Sequence, residues 1–184
     1  EAEARDRLTG LPNVSVYSVV GERALRERGL GGIATVGQAA RCPPRLVVLR
    51  LEPTGSAAAS APPIGLVGKG LVYDTGGLNL KSNGGRGMKD DCAGAAAALG
   101  AFELLARLAA SGDALALQAP LYAVLCLAEN AIGPRSYRPD DVITMHSGLS
   151  VEVIDTDSEG RFVIGDGCSW LAREHGCKTL IDAA

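Results

Sequence analysis

Seven residues in two short clusters have the types and spacing of divalent-cation chemistry: Lys69, Asp74, Lys81 and Asp91, then Asp157, Glu159 and Arg161. The first cluster lies in Gly68-Lys69-Gly70-Leu71-Val72-Tyr73-Asp74-Thr75-Gly76-Gly77-Leu78-Asn79-Leu80-Lys81 and continues in Met88-Lys89-Asp90-Asp91-Cys92-Ala93-Gly94. The second is Asp155-Thr156-Asp157-Ser158-Glu159-Gly160-Arg161. Carboxylates are the natural ligands of hard divalent ions. The glycines set among them let backbone come close to a ligand. Two lysines and an arginine beside such ions can stabilise developing negative charge or hold an anion.

Other chemistries fit less well. Asp155, Asp157, Glu159, Gly160 and Asp166 nearly match an EF-hand loop, but Val151-Glu152-Val153-Ile154 before it is β-like where a helix is required, and the final ligand is Asp rather than Glu. Gly68-Lys69-Gly70 lacks the spacing and the Ser/Thr of a phosphate-binding loop, and no helix opens at these glycines as a dinucleotide fingerprint needs. His146 and His175 are isolated, which argues against a histidine zinc site and suggests loop or surface positions. Five cysteines with no CxxC pair argue against a disulfide framework and for a reducing compartment.

The elements that must position these groups alternate in type. Val14–Val20, Leu46–Leu51, Ile64–Tyr73, Leu121–Ala128 and Thr179–Ala184 read as strands, and two short β segments flank Ser147-Gly148 within Ile143–Ile154. Glu22–Arg28, Ile33–Ala40, Gly94–Ala110 and Phe162–His175 read as helices, with Leu30-Gly31-Gly32 ending the first. The low-complexity stretch Pro53–Pro63 reads as a hairpin tip, and Gly112–Ala119 as a loose connection. Strands alternating with helices predict an α/β fold, a three-layer α/β/α arrangement on a mixed sheet. Asp74 then falls at a strand end and Asp91 before a long helix, where such sheets place their sites. Asp155, Asp157 and Glu159 are expected on extended backbone, pointing the same way, with Asp155 only a turn residue outside the ligand set.

The bulk properties agree with a folded domain. The chain has 184 residues, 47% of them hydrophobic, enough for a sizeable core. A net charge of −3 gives no electrostatic footprint for nucleic acid or anionic membrane. No apolar run is expected to approach the roughly 18 residues of a bilayer span. No secretory signal is read at the start, so a cytoplasmic location is expected.

Taken together, the motifs resemble the leucyl aminopeptidase family (cytosol aminopeptidases, peptidase family M17), over about Ile64 to Ala184. Upstream, Leu25-Arg26-Glu27-Arg28-Gly29-Leu30-Gly31-Gly32-Ile33 and Cys42-Pro43-Pro44-Arg45 are also similar. Tyr73-Asp74-Thr75 and Arg138-Pro139-Asp140-Asp141 resemble the branch called probable aminopeptidase NPEPL1. The resemblance implies an aminopeptidase/phosphorylase-like fold and a metallo-exopeptidase that hydrolyses the N-terminal bond of peptides bearing a free N-terminus. It implies two divalent ions (zinc or manganese, or magnesium), with Asp74 and Glu159 bridging, Lys69 and Asp91 completing the tighter site, and Asp157 the more exchangeable one. A metal-bridged hydroxide would attack, Lys81 would polarise the scissile carbonyl, and Arg161 would hold a bicarbonate acting as general base. A neutral Lys69 ligand would need its pKa lowered by the two dications. The family also implies a cytoplasmic homo-hexamer when full length, with no nucleic-acid or membrane partner.

The resemblance also carries departures. One residue fewer than is typical separates Lys81 from Asp91, Ala93 stands in place of a glycine whose contact a methyl would crowd, and Ser158 replaces Ala. The chain is expected to be the N-terminal portion of a metallo-aminopeptidase catalytic domain truncated at its C-terminus, with residues 1–63 as opening strands and helices and 64–184 carrying the metal-site motifs. The length and Ala93 motivate an alternative, a catalytically silent aminopeptidase-like structural or assembly subunit.

Overall fold

The computed structural model describes residues 1–53, 61–112 and 119–184. Its elements, in order, are α1 (Ala2–Leu8), β1 (Val14–Val20), α2 (Glu22–Glu27), α3 (Gly31–Val36), β2 (Arg45–Leu51), β3 (Ile64–Asp74), α4 (Ala93–Ser111), β4 (Leu121–Asn130), β5 (Val142–Thr144), β6 (Ser150–Glu152), α5 (Glu159–Glu174) and β7 (Thr179–Ala183). Short 3-10 turns at Met88–Asp90 and Thr156–Ser158 precede α4 and α5. Five strands form one sheet in the order β1-β2-β4-β3-β7, while β5 and β6 pair separately. The sheet is mixed: β1–β2 and β2–β4 are antiparallel, β4–β3 and β3–β7 parallel.

Side chains alternate across a strand, and here the alternation sorts the core into two layers. Leu46 and Val48 of β2, with Tyr122, Val124 and Cys126 of β4, pack with Leu25, Ile33, Phe162, Val163 and Leu171 from α2, α3 and α5. Val47, Leu49 and Leu51, with Leu121, Ala123 and Leu125, pack with Leu8, Ala98, Phe102 and Ala106 from α1 and α4. Apolar runs on both strands are thereby covered on both faces, which gives the expected three-layer α/β/α arrangement.

Several expectations need correcting. Strands β2 and β3 are not neighbours, since β4 lies between them; residues 54–60 and 113–118 of the two expected connections lie outside the described residues. Gly31-Gly32 does not end α2 but opens α3, and Gly29, at φ +75°, makes the left-handed turn between them. What holds Gly31 and Gly32 is close packing: a Cβ would come 2.0 Å from the Thr144 carbonyl oxygen and 2.6 Å from that of Phe162. The sequence assigned no element to the first helix, Ala2–Leu8. Met88–Ser111 is, by length and composition, apolar enough to cross a bilayer, because alanines count as apolar; in the fold Gly94, Ala95, Ala98, Phe102 and Ala106 along it are buried. His146 and His175 do lie in loops, as expected, but both are half-buried against aromatic rings. His175 stacks on Tyr122 at 4.3 Å between centroids, and the His146 ring lies 5.3 Å from Trp170.

Asp166, the last ligand of the rejected EF-hand, is fully buried in α5 and accepts the backbone N–H groups of Ile33 (3.0 Å) and His146 (2.9 Å). It thus pins α3 and the β5–β6 hairpin to α5. Burial pushes its carboxyl up to about 6, against these backbone hydrogen bonds. An acid whose folded value lies above its unfolded one favours folding at low pH, and loses that contribution as pH climbs from about 4 to about 6. Asp166→Asn would turn an amide N–H2 toward one of the backbone donors. It is expected to cost about 1–3 kcal/mol in urea denaturation at neutral pH, and to weaken the pH dependence of the midpoint across that acidic window.

Candidate metal centre

The cleft forms where β3 and β4 end and α4 and α5 begin. Between Leu71 and Asp74, β3 gains one residue relative to β4: Leu71 pairs with Ala128, but Asp74 pairs with Asn130. Such a bulge bends the strand and re-aims the side chains beyond it. Asp74, the last residue of β3, is only 1% exposed. The 3-10 turn Met88–Asp90 delivers Asp91, and Glu159 is the first residue of α5. Among the described residues, Asp74, Asp91 and Glu159 each offer an oxygen within 4.8 Å of the others.

Two lysines stitch this cluster together. The Lys69 ammonium lies 2.8 Å from Asp91 Oδ1 and 2.9 Å from Glu159 Oε1. That of Lys81 lies 2.8 Å from Asp74 Oδ2 and 2.6 Å from Asp157 Oδ1. Lys69 reaches its partners past Gly160, where a Cβ would stand 2.7 Å from its Cε. Arg161 is exposed and lines the adjoining cleft of about 380 Å³ with Lys69, Asp157 and Glu159.

All seven predicted residues therefore meet at one cleft. They reach it differently from expectation in one respect. The segment after Asp155 is not extended, because the Asp155 carboxylate accepts the Asp157 N–H at 2.8 Å and closes a 3-10 turn. Glu159 and Arg161 then ride on the first turn of α5, and Asp155 is a capping residue, consistent with leaving it out of the ligand set. Ala93 is exposed, so its methyl crowds nothing; the tight approach is at Gly94, where a Cβ would meet the Ala183 carbonyl oxygen at 2.1 Å. In the loop after β4, Arg138 faces Asp141 and Arg135 pairs with Glu22, while Tyr137 and Asn130, the last residue of β4, turn inward.

The electrostatics favour a cation. Burial works to raise the Asp74 carboxyl, but Lys81, the Gly76 N–H and Asn130 more than reverse this and hold it below the usual range. Burial keeps Glu159 above its ordinary value even though Lys69 opposes it. Burial would lower both lysines, but their carboxylate partners raise them above the ordinary value. In the ion-free chain Lys69 is therefore an ammonium, and the lowered pKa expected of a metal ligand would have to come from the ions. Four carboxylates meet two ammonium groups, leaving the cluster anionic. Two buried oxygens, Asp91 Oδ2 and Glu159 Oε2, accept no hydrogen bond from the described residues. Buried carboxylate oxygens rarely stay unpaired, so this donor set fits hard divalent ions.

The sequence resemblance puts Asn130–Arg138 near the site as a loop that could touch substrate; what it missed is that Asn130 and Tyr137 brace the cluster from behind. Asn130 donates to Asp74 Oδ1 (2.8 Å) and to the Thr156 carbonyl (3.0 Å), and Tyr137 donates to that same carbonyl at 2.6 Å. The one signal in the sequence was an amide at the end of the apolar run Leu121–Ala128.

The layered fold and this cleft define an α/β protein with a polycarboxylate centre suited to divalent cations. The chain belongs to the cytosol aminopeptidase family: residues 2–184 match the family's catalytic domain. It is 44% identical over 170 residues to the probable aminopeptidase NPEPL1 of Homo sapiens, covering 92% of this chain and 30% of that protein. A leucyl aminopeptidase from Trypanosoma brucei, solved in complex with bestatin, superposes with a TM-score of 0.82 at 46% identity, covering 93% of this chain and 31% of that one. The bottromycin maturation enzyme BotP, solved in complex with Mn, superposes at 0.75 with 36% identity, covering 90% and 33%. The chain thus spans about a third of the length of the relatives it matches.

Proposed function

We propose that the protein is a dinuclear metal-dependent aminopeptidase that removes the first residue of peptides. The observation that carries this reading is the convergence of Asp74, Asp91 and Glu159 oxygens within 4.8 Å, with buried carboxylate oxygens left unpaired. Asp74, Asp91, Asp157, Glu159 and Lys69 would hold two divalent ions, of manganese, zinc or magnesium. Bound there, such ions supply Lewis-acid polarisation and activate water near neutral pH. The Mn-bound relative supports manganese as the first ion to test.

The chain's own groups do the rest. Lys81, kept charged by Asp157 and Asp74, offers its ammonium to the oxygen that becomes anionic as the scissile carbonyl is attacked. Asp157, one third exposed at the cleft, would complete the more exchangeable of the two ion sites. Arg161 presents a planar fork suited to bicarbonate, held as proton acceptor. Residues 1–184 would be the N-terminal portion of the catalytic domain, 64–184 carrying the metal-site motifs. A cytoplasmic homo-hexamer completes the reading and rests on the family resemblance.

The full-length protein loaded with Mn²⁺ should hydrolyse leucyl amide, fail on N-acetyl-leucyl amide, and lose activity with a chelator. Equal cleavage of the acetylated amide, or no hydrolysis at full metal occupancy, would sink the proposal.

A further inference from the structure

Behind the metal cluster lies a second buried polar group that the mechanism does not use. Thr156 and Asn130 are both fully buried. Every polar atom of Thr156 is engaged. Its N–H donates to Asn79 Oδ1 at 3.0 Å, its hydroxyl donates to the Gly76 carbonyl at 2.6 Å and accepts the Asn79 N–H at 2.8 Å, and its carbonyl receives Asn130 and Tyr137. These bonds join three segments distant in sequence: the loop after Asp74, the end of β4, and the turn that carries Asp157 into Glu159.

The joint acts on Asp74 directly. One N–H of the Asn130 amide goes to Asp74 Oδ1, the other to Thr156. With Gly76 N–H also on Oδ1 at 2.9 Å, that oxygen faces the lock, and Oδ2 faces the centre. Gly76 and Gly77 are the residues that let the loop sit this close. A Cβ on Gly77 would stand 2.8 Å from the Thr156 hydroxyl, and both glycines have positive φ.

From this geometry we infer that Thr156, with Asn79 and Asn130, is a positioning device that sets the spacing between Asp74 on β3 and Asp157 and Glu159 beside α5, and so tunes divalent-metal affinity. The inference rests on the metal-centre reading above. Partners that orient metal ligands without touching the ion commonly change affinity 10–100-fold when removed. In a desolvated network the loss is felt by every member.

Mn²⁺ titration of the full-length protein by calorimetry, with Mn²⁺ electron paramagnetic resonance beside it, tests this. Thr156→Val keeps the shape and deletes the hydroxyl; it should weaken Mn²⁺ binding by about 10–100-fold and alter the resonance, while Thr156→Ser restores both. Should Thr156→Val fail to fold, Asn79→Ala at an exposed loop position decides: a several-fold loss supports the device, and unchanged affinity overturns it. Parental Mn²⁺ affinity in folded Thr156→Val also overturns it, as does a Thr156→Ser variant no better than Val. A parent protein that binds no Mn²⁺ would instead remove the metal-centre reading itself.

Discussion

Glu159→Gln should abolish metal-dependent peptide hydrolysis, with turnover down by at least about a thousandfold and Mn²⁺ binding lost over the micromolar range. The side chain keeps its size, so the effect isolates charge. Glu159 is 2% exposed, with one oxygen 2.9 Å from Lys69 and the other accepting nothing from the described residues. An amide there offers one neutral acceptor, and an N–H2 beside the Asp74 and Asp91 carboxylates. The same change should be harmless to the ion-free fold. Burial works against the charged carboxylate, and Asp91 remains to pair Lys69. Melting in the presence of chelator should therefore stay at or above the parental temperature, while the rise that Mn²⁺ gives the parent by mass action disappears. Function and stability pull apart at this residue, as they do where a site stores an electrostatic cost. Activity that persists in Glu159→Gln would refute its assigned role.

Local chemistry explains what the sequence revealed and what it hid. The apolar runs at Leu46–Leu51 and Leu121–Ala128 announce strands because burial on both faces leaves only Arg50 as a polar interruption. The seven residues that gather at the cleft are legible because their motifs are short and local, and because carboxylates and lysines cluster among glycines there. The turn at Thr156–Ser158 was misread for a related reason: i, i+2 acids suit a strand, but an Asp followed by a free N–H two residues on also closes its own turn. Gly31-Gly32 was misread because a glycine needed for close packing looks in sequence like one needed for positive φ. The bonds of Thr156, Asn79 and Asn130 were invisible for a deeper reason, although the resemblance had already put Asn130 in a loop near the site. Their bonds span 19 to 80 positions, and no property of a lone Thr or Asn reveals which distant backbone it will meet.

Lys81→Met should do the opposite of Glu159→Gln to metal binding while still disabling turnover. The Lys81 ammonium sits between Asp74 Oδ2 and Asp157 Oδ1, the last of the seven groups a dication would welcome as a neighbour. Removing it frees two carboxylates and one unit of repulsion, so Mn²⁺ affinity should hold or rise several-fold. The aliphatic stem is preserved, and the loop keeps its own tie, the Lys81 N–H to the Thr75 carbonyl at 3.0 Å. On the proposed mechanism, what is lost is a fixed positive charge aimed at the oxygen on which charge develops. Losing one such donor costs roughly 10²–10³ in kcat, and because the ground-state carbonyl gains little from it, KM should move by far less. Lys81→Arg should recover part of the rate. A purely structural lysine predicts the reverse pattern: weaker metal binding, a lower melting temperature, and kcat within about threefold of the parent at saturating Mn²⁺. Measuring metal affinity and kcat on the same two variants therefore separates the residue that holds the ions from the one that works beside them.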